Sequence, residues 1–173
     1  MSSDPSGKAA LAGHRIAFDE VGRLYGQHGP ALVLYARSFL WDMGVAEDVV
    51  HGVFLKLLRG QVAMPDAPVA YLYRAVRNTA LNARRDESRK ASFNERDCCF
   101  ESASGNREAA LALESALRDL PCEQREVLIM RVWSQMTLEE VATATGVPLD
   151  TAASRYRYGL AKLRERLKPF HKE

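Results

Sequence analysis

The chain has 173 residues, 47% hydrophobic content and a formal net charge of only +2, which allow one medium or two small folded domains. It has no run of about eighteen apolar residues, the length that crosses a bilayer, and no apolar signal-peptide core near its start. These features favour a cytoplasmic protein that does not insert into a membrane. The three cysteines lack metal-ligand spacing, so we expect free thiols, no metal site and no cofactor.

The first helices are predicted after a polar start. Residues 1–14 are small and polar and are expected to be a flexible N-terminus. Apolar residues then recur at helical spacing from Ile16. Gly29 and Pro30 interrupt this pattern, and Pro30 can be the first residue of a second helix that reaches about Trp41.

A third helix is predicted over residues 46–59, followed by a loop over residues 60–68 in which two prolines and a glycine prevent a helix. Asp48, Leu55 and Lys56 fall on the side opposite to the apolar stripe. The exposed Leu55 beside charges hints at a partner surface, although a single exposed leucine is also commonplace.

A fourth helix is predicted over about residues 69–88, with an apolar stripe on one side and arginine and asparagine on the others. Aromatic residues interleaved with such side chains can stack on unpaired bases and hydrogen-bond to them. Tyr71 and Tyr73 are equally well explained as core tyrosines.

Residues 91–106 have no helical period and are rich in serine, asparagine and charge, which predicts an interdomain linker. Cys98 and Cys99 lie in this segment. Helices are expected to resume over about residues 107–118 and 123–133.

Residues 137–167 predict a helix, a tight turn and a second, basic helix. Thr137 and Glu140 have the spacing of a capping box, Gly146 tolerates a positive φ, and Pro148 can begin a helix. This is the layout of a helix-turn-helix, whose second helix enters a DNA major groove. A structural αα-hairpin has the same pattern, so both interpretations stay open here.

The basic residues form two patches. Residues 72–90 contain six basic against two acidic side chains, and residues 153–172 contain seven against one. Acidic residues predominate between the patches, over residues 91–115. This distribution suggests two contacts with one polyanion.

Three stretches together resemble a bacterial RNA polymerase sigma factor of the extracytoplasmic-function (ECF) group: AEDVVHGVFLKLLRG at 46–60, PVAYLYRAVRNTALNARR at 68–85, and LPCEQREVLIMRVWSQMTLEEVATATGVPLDTAASRYRYGLAKLRERL at 120–167. The resemblance implies an all-α fold of two small helical domains joined by a flexible linker over residues 91–106. Sigma region 2 would occupy residues 15–90, and sigma region 4 would occupy residues 107–173.

The resemblance also implies a function and its residues. The protein would bind core RNA polymerase, direct it to promoter DNA and help to melt the duplex, and an anti-sigma factor would sequester it. The implied sites are Asp48, Phe54, Leu55 and Lys56 for core polymerase; Tyr71, Arg74, Arg77, Asn78, Asn82 and Arg85 for the −10 element; and Thr151, Ser154, Arg155, Arg157, Tyr158 and Lys162 for the −35 element. His51, Gly52 and Ala153 depart from the usual pattern of the group.

Two other classes of function are compatible with parts of the sequence. A stand-alone dimeric helix-turn-helix regulator would bind a palindromic site tightly without polymerase, but the long basic helix over residues 69–88 argues against a dimerisation domain. A thiol-dependent enzyme would use Cys98 or Cys99, and no nucleophile–base pair accompanies them in the sequence. We therefore expect no catalytic activity and no small-molecule substrate.

Overall fold

The computed structural model describes residues 5–63, 65–88 and 107–168, and these residues form seven α-helices. The predicted linker, with Cys98 and Cys99, lies outside the described residues. The helices are α1 (Pro5–Leu40), α2 (Met43–Leu58), α3 (Pro68–Ser88), α4 (Arg107–Arg118), α5 (Cys122–Val132), α6 (Leu138–Thr145) and α7 (Leu149–Leu167).

Helix α1 is a single helix that contains Pro30, so the predicted break at Gly29 and Pro30 is wrong. It also begins at Pro5, within the segment that was expected to be a flexible terminus. A proline inside a helix removes one backbone hydrogen bond and costs about 3 kcal/mol. Pro30 is exposed, whereas Leu32 and Tyr35 just after it are completely buried. Burial of Leu32 and Tyr35 in the core offsets the energetic cost of the proline.

Helix α2 begins three residues earlier than predicted because Asp42 caps it. The Asp42 carboxylate accepts a hydrogen bond from the Val45 backbone N–H at 2.8 Å. The buried residues are largely those of the predicted apolar stripe: Ala46, Val49, Val50, Val53, Phe54 and Leu57. Gly60, with φ of 65°, follows the helix and leads into the predicted loop. Pro68 then starts α3, where a missing N–H is tolerated.

The helix-turn-helix is present as predicted. The Thr137 hydroxyl accepts from the Glu140 N–H at 3.2 Å, and the Glu140 carboxylate accepts from the Thr137 N–H at 2.7 Å. Gly146 ends α6 in the left-handed region at φ 71°, and Pro148 precedes α7. In α5, Val132 is 48% exposed, although the preceding residues 125–130 are all buried.

The first half of the described structure, α1 to α3, packs against the second half, α4 to α7. Tyr35 of α1 meets Phe39 and Tyr73 edge to face, with ring centroids 5.1 Å apart in both pairs. Ile129 and Met130 of α5 belong to the same buried apolar cluster. A smaller cluster joins α4, α5 and α7 through Leu117, Leu120, Leu128 and Leu163. The second half therefore has some core of its own and also covers part of the first half.

Candidate nucleic-acid interface

Helix α3 turns its apolar stripe to the core and its polar residues outward. Leu72, Tyr73 and Val76 are completely buried, so Tyr73 is a core tyrosine. Tyr71 is half-buried, and Arg77 keeps 31% of its side chain exposed. The remaining predicted −10 residues are exposed, namely Arg74, Asn78, Asn82 and Arg85. Nearly all of the predicted set therefore lies on one accessible side of this helix.

Two arginines of α3 nevertheless contact the second half of the chain. Arg77 Nε donates to Glu126 Oε1 at 2.7 Å, and Arg74 Nη2 donates to the Thr143 carbonyl at 2.8 Å. Burial alone would lower the pKa of Arg77, but the charges of Glu126 and Tyr35 outweigh it and raise this pKa above its ordinary value. Arg77 is thus held as a cation facing a buried carboxylate.

Glu126 was not singled out from the sequence. It is only 1% exposed, and its carboxylate accepts a second hydrogen bond from the Tyr35 hydroxyl. Burial, and then the neighbouring Glu126 charge, raise the pKa of Tyr35 well above its ordinary value. Its spacing in the sequence does indicate burial. Glu126 is one helical turn from Cys122 and from Met130, on the face of α5 that meets the first half.

Helix α7 presents the predicted −35 residues in two groups. Arg157, Tyr158 and Lys162 are exposed, and the Arg157 guanidinium lies 5.3 Å from the centre of the Tyr158 ring. The residues near its N-terminal end are partly buried, namely Thr151, Ser154 and Arg155. This end is the part of a recognition helix that approaches base edges.

Close packing against α5 sets the position of α7. A Cβ on Gly159 would lie 3.0 Å from Leu128 Cδ1, so the glycine lets the two helices approach. On the same face of α7, two turns earlier, Ala152 is completely buried. The helix is therefore held on its inner side while its basic side faces solvent.

The predicted polymerase-binding residues lie on α2 beside an apolar groove of about 400 Å³ between α1 and α2. Asp48, Leu55 and Lys56 are exposed. Phe54 differs from them: it is 4% exposed and packs edge to face on Tyr25 at 5.1 Å. Phe54 lines the groove and belongs to the core, as its place in the apolar stripe predicts, and its role in polymerase binding remains a prediction. The groove is lined by Phe18, Val21, Gly22, Tyr25, His51, Phe54, Leu55 and Leu58.

Among the described residues, none of the helices is long and apolar enough to cross a membrane, and His, Cys, Asp and Glu do not gather into a metal-binding group. Cys122 is a free thiol in this part of the chain, and burial raises its pKa. A helix-turn-helix with a basic second helix, combined with a separate basic helix that carries exposed asparagines, defines a helical DNA-binding protein.

Comparison with known proteins identifies the family. Residues 24–90 match the family profile of sigma-70 region 2, and residues 116–165 match that of sigma-70, region 4. The two matches together span more than half of the chain, in the order that the sequence predicts. The chain belongs to the sigma-70 family, as a sigma factor of the ECF group that directs transcription initiation at promoters. The matches do not favour a stand-alone regulator.

Individual relatives agree with this assignment. The chain is 27% identical over 143 residues to the RNA polymerase sigma-E factor of Streptomyces avermitilis, covering 79% of each chain. It is 28% identical over 152 residues to the ECF RNA polymerase sigma factor SigL of Mycobacterium tuberculosis, covering 82% of this chain and 85% of SigL.

Among solved structures, the chain is similar to the sigma factor RpoE of Bartonella quintana, solved with the anti-sigma factor NepR. The TM-score is 0.71 at 25% identity, covering 87% of this chain and 97% of RpoE. It is also similar to CnrH, solved with the cytosolic domain of CnrY, with a TM-score of 0.61 at 27% identity over 86% of this chain and 88% of CnrH.

Proposed function

We propose that this sigma factor reads the −10 element with α3 and the preceding loop, reads the −35 element with α7, and docks on core polymerase with α2. The observation that carries the proposal is the separation of polar and apolar faces on α3. This helix buries Leu72 and Val76 completely while it exposes Asn78 and Asn82 beside arginines.

The exposed face of α3 suits bases that have left the duplex. An asparagine amide offers both a donor and an acceptor to a base edge, and arginine neutralises the neighbouring phosphate. Tyr71 is half-buried at the start of the helix and can offer a ring edge beside the loop. Binding to unstacked bases lowers the free energy of the melted state relative to the duplex, because these contacts form only after the bases leave the stack.

The N-terminal end of α7 suits a duplex major groove. Arg155 lies on the second turn of the helix, and an arginine that bonds guanine in two places contributes about 1–3 kcal/mol of discrimination. Arg157 and Lys162 are exposed and can neutralise phosphates on either side. Asp150 in the first turn would repel a phosphate, although it could accept from the amino group of cytosine.

Core polymerase would meet the exposed side of α2. Leu55, at 44% exposure, stands beside the apolar groove, and Lys56 and Asp48 supply charge of both signs nearby. An apolar centre with a charged rim is a common composition for a protein interface. Polymerase and chromosome are cytoplasmic in bacteria, and the proposed role puts the protein in the same compartment.

An anti-sigma factor is the second proposed protein partner. Two of the similar solved structures are complexes with another protein, and in one of them the sigma factor RpoE is bound to NepR, which is named there as an anti-sigma factor. A partner of this kind would compete with polymerase or DNA for the surfaces of α2, α3 and α7.

Run-off transcription with purified core polymerase on a genomic promoter library tests the proposal. Arg155→Ala should weaken binding of upstream duplex about 10- to 100-fold, the loss of one bidentate base contact, and should leave core polymerase binding intact. Arg164→Ala is the matched control, because Arg164 is an exposed arginine of the same helix about 13 Å further along its axis. Unchanged upstream binding by the Arg155 variant would reject the assignment of α7.

The −10 assignment needs a separate measurement. Asn78→Ala should reduce permanganate reactivity of the melted bases, while closed complexes form within about twofold of the wild-type level, because the amide acts on single-stranded bases. Identical permanganate footprints for the variant and the wild type would reject α3 as the reader. A stand-alone regulator would instead bind a palindromic duplex tightly without polymerase.

A further inference from the structure

Helix α7 carries two tyrosines in very different surroundings. Tyr156 is partly buried and packs against both apolar clusters. Tyr158 is 56% exposed, so core packing does not account for its aromatic ring. A single exposed tyrosine is common on protein surfaces, and its position on the helix and its neighbours therefore decide what it can do.

Tyr158 lies on the side of α7 that carries the proposed base-reading residues. It follows Arg155 by three residues and Ser154 by four, the spacings that place side chains next to each other on one side of a helix. The exposed ring therefore continues the stripe that is proposed to face DNA.

The distance along the helix axis places Tyr158 at the level of the DNA backbone. Thr151, in the first turn, and Tyr158 are about 10 Å apart along the axis. The major groove is about 8.5 Å deep. When a recognition helix enters the groove by its N-terminal end, a side chain this far behind the first turn has passed the depth of the groove. It then meets the sugar–phosphate wall and not the base edges.

Arg157 and Tyr158 form a pair before DNA arrives. The Arg157 guanidinium lies 5.3 Å from the centre of the Tyr158 ring, within the range of a cation–π contact. This contact restricts both side chains and so reduces the entropy that is lost when they order on a ligand. The phenol hydroxyl is a neutral donor, and the guanidinium supplies a charge and further N–H donors. The two groups side by side match an anionic phosphate.

We propose that Arg157 and Tyr158 form a phosphate clamp at the edge of the −35 site. The Tyr158 hydroxyl donates to one backbone phosphate, and Arg157 neutralises the same phosphate. The inference rests on the proposed role of α7 as the −35 reader, and it gives Tyr158 a positioning task there. Phosphate contacts fix the register of a protein on the duplex and carry no sequence information directly. The clamp therefore sets how far the N-terminal end of α7 reaches into the groove.

The test uses core polymerase reconstituted with each variant of the full-length protein. The probe is a fluorescent duplex with a −35 element that the wild-type complex selects from a random pool. Tyr158→Phe removes only the hydroxyl and keeps the ring beside Arg157. Tyr156→Phe is the matched control, because it removes the same group from a tyrosine on the inner side of the same helix. We expect Tyr158→Phe to weaken binding about tenfold, the loss of one hydrogen bond to a charged group, and Tyr156→Phe to bind as the wild type does.

A second set of duplexes identifies the phosphate. Each duplex carries one methylphosphonate in the −35 region, which removes the charge and one acceptor oxygen of a single phosphate. At one position the difference between Tyr158→Phe and the wild type should disappear, because the partner of the hydroxyl is then absent.

Salt dependence separates the two members of the clamp. Arg157→Ala should reduce the slope of log K against log salt by about 0.9, the contribution of one neutralised phosphate, and this change should vanish on the same methylphosphonate duplex. Tyr158→Phe should leave the slope unchanged, because the hydroxyl carries no charge.

Wild-type binding by Tyr158→Phe would overturn the clamp. A loss that persists on every methylphosphonate duplex would also overturn it, because no backbone phosphate is then the partner of Tyr158. If the slope change of Arg157→Ala vanishes on a different duplex, the two side chains do not share a phosphate. A loss in Arg155→Ala without one in Tyr158→Phe would reject the clamp alone, whereas unchanged binding by both variants would reject α7 as the −35 reader.

Discussion

Gly159 lies where α7 crosses α5, and its replacement by alanine measures how closely these helices pack. The added Cβ would lie 3.0 Å from Leu128 Cδ1, 3.2 Å from Gln124 Cβ and 3.3 Å from the Gln124 carbonyl oxygen. All three distances are shorter than an ordinary van der Waals contact. Leu128 is completely buried and the carbonyl oxygen belongs to the backbone, so we expect these neighbours to give little and α7 to shift outward by a few tenths of an ångström.

The size of the effect follows from two opposing contributions. Overpacking of this kind costs about 1–3 kcal/mol. Alanine in place of glycine inside a helix stabilises the folded protein by about 1 kcal/mol. We expect Gly159→Ala to lower the free energy of unfolding by about 1 kcal/mol. Gly52→Ala in α2 is the matched control: nothing lies within 4 Å of its added Cβ, so it should stabilise the protein by about 1 kcal/mol.

Urea denaturation followed by circular dichroism measures both variants. In thermal scans, a change of 1 kcal/mol corresponds to roughly 2–4 °C in the midpoint for a chain of this size. The midpoints of the two variants should therefore move in opposite directions. Equal stabilisation by both substitutions would refute the reasoning, since α7 would then have room for a methyl group against α5.

Three further outcomes are expected. Thr137→Ala should destabilise the protein by about 1 kcal/mol through loss of the α6 cap. Thr143→Ala, on the exposed side of the same helix, is the control and should change the free energy of unfolding by less than about 0.5 kcal/mol. Equal losses in the two variants would contradict a special role for the cap. Burial raises the pKa of both Cys122 and Tyr35. Folding therefore favours their neutral forms, and this stabilisation is complete below their ordinary values of 9.0 and 10.0 and is lost as the pH rises through the higher folded-state values. Urea titrations should give a free energy of unfolding that falls above about pH 9, and that falls less steeply in Tyr35→Phe; an identical slope would exclude Tyr35 as a contributor. Leu55→Glu should weaken core polymerase binding at least tenfold in a pulldown while circular dichroism stays unchanged, and full binding would argue against α2 as the docking surface.

The elements that the sequence predicted best are those with local signals. The T-x-x-E pattern at Thr137 and Glu140 defines a cap within four residues, and Gly146 ends the helix through its own backbone freedom. Both features appear in the structure because neither depends on distant residues. The same holds for the apolar stripe of α3. The helical spacing of its apolar residues is enough to predict that Leu72 and Val76 are buried and that Asn78 is exposed.

The missed features depend on residues far apart in the chain. Pro30 normally interrupts a helix, but burial of Leu32 and Tyr35 against other helices keeps α1 continuous. Glu126 is buried because two donors, 91 and 49 residues earlier in the chain, surround it. A charged residue in a helix is ordinarily exposed, so only the tertiary contact reveals this exception.

Arg125 and Glu126 are adjacent in α5, but their hydrogen-bond partners lie in different halves of the protein, although the Arg125 guanidinium also lies 5.1 Å from the ring of Trp41. The Arg125 guanidinium donates to the carbonyls of Leu117, Arg118 and Leu120 at 3.3–3.4 Å, all within its own half. Glu126 turns to the other half. Separation of the halves would therefore remove the hydrogen-bond partners of the Glu126 carboxylate. The Arg125 hydrogen bonds that join α5 to the end of α4 would stay in place. Such a separation would not require α4 or α5 to unfold.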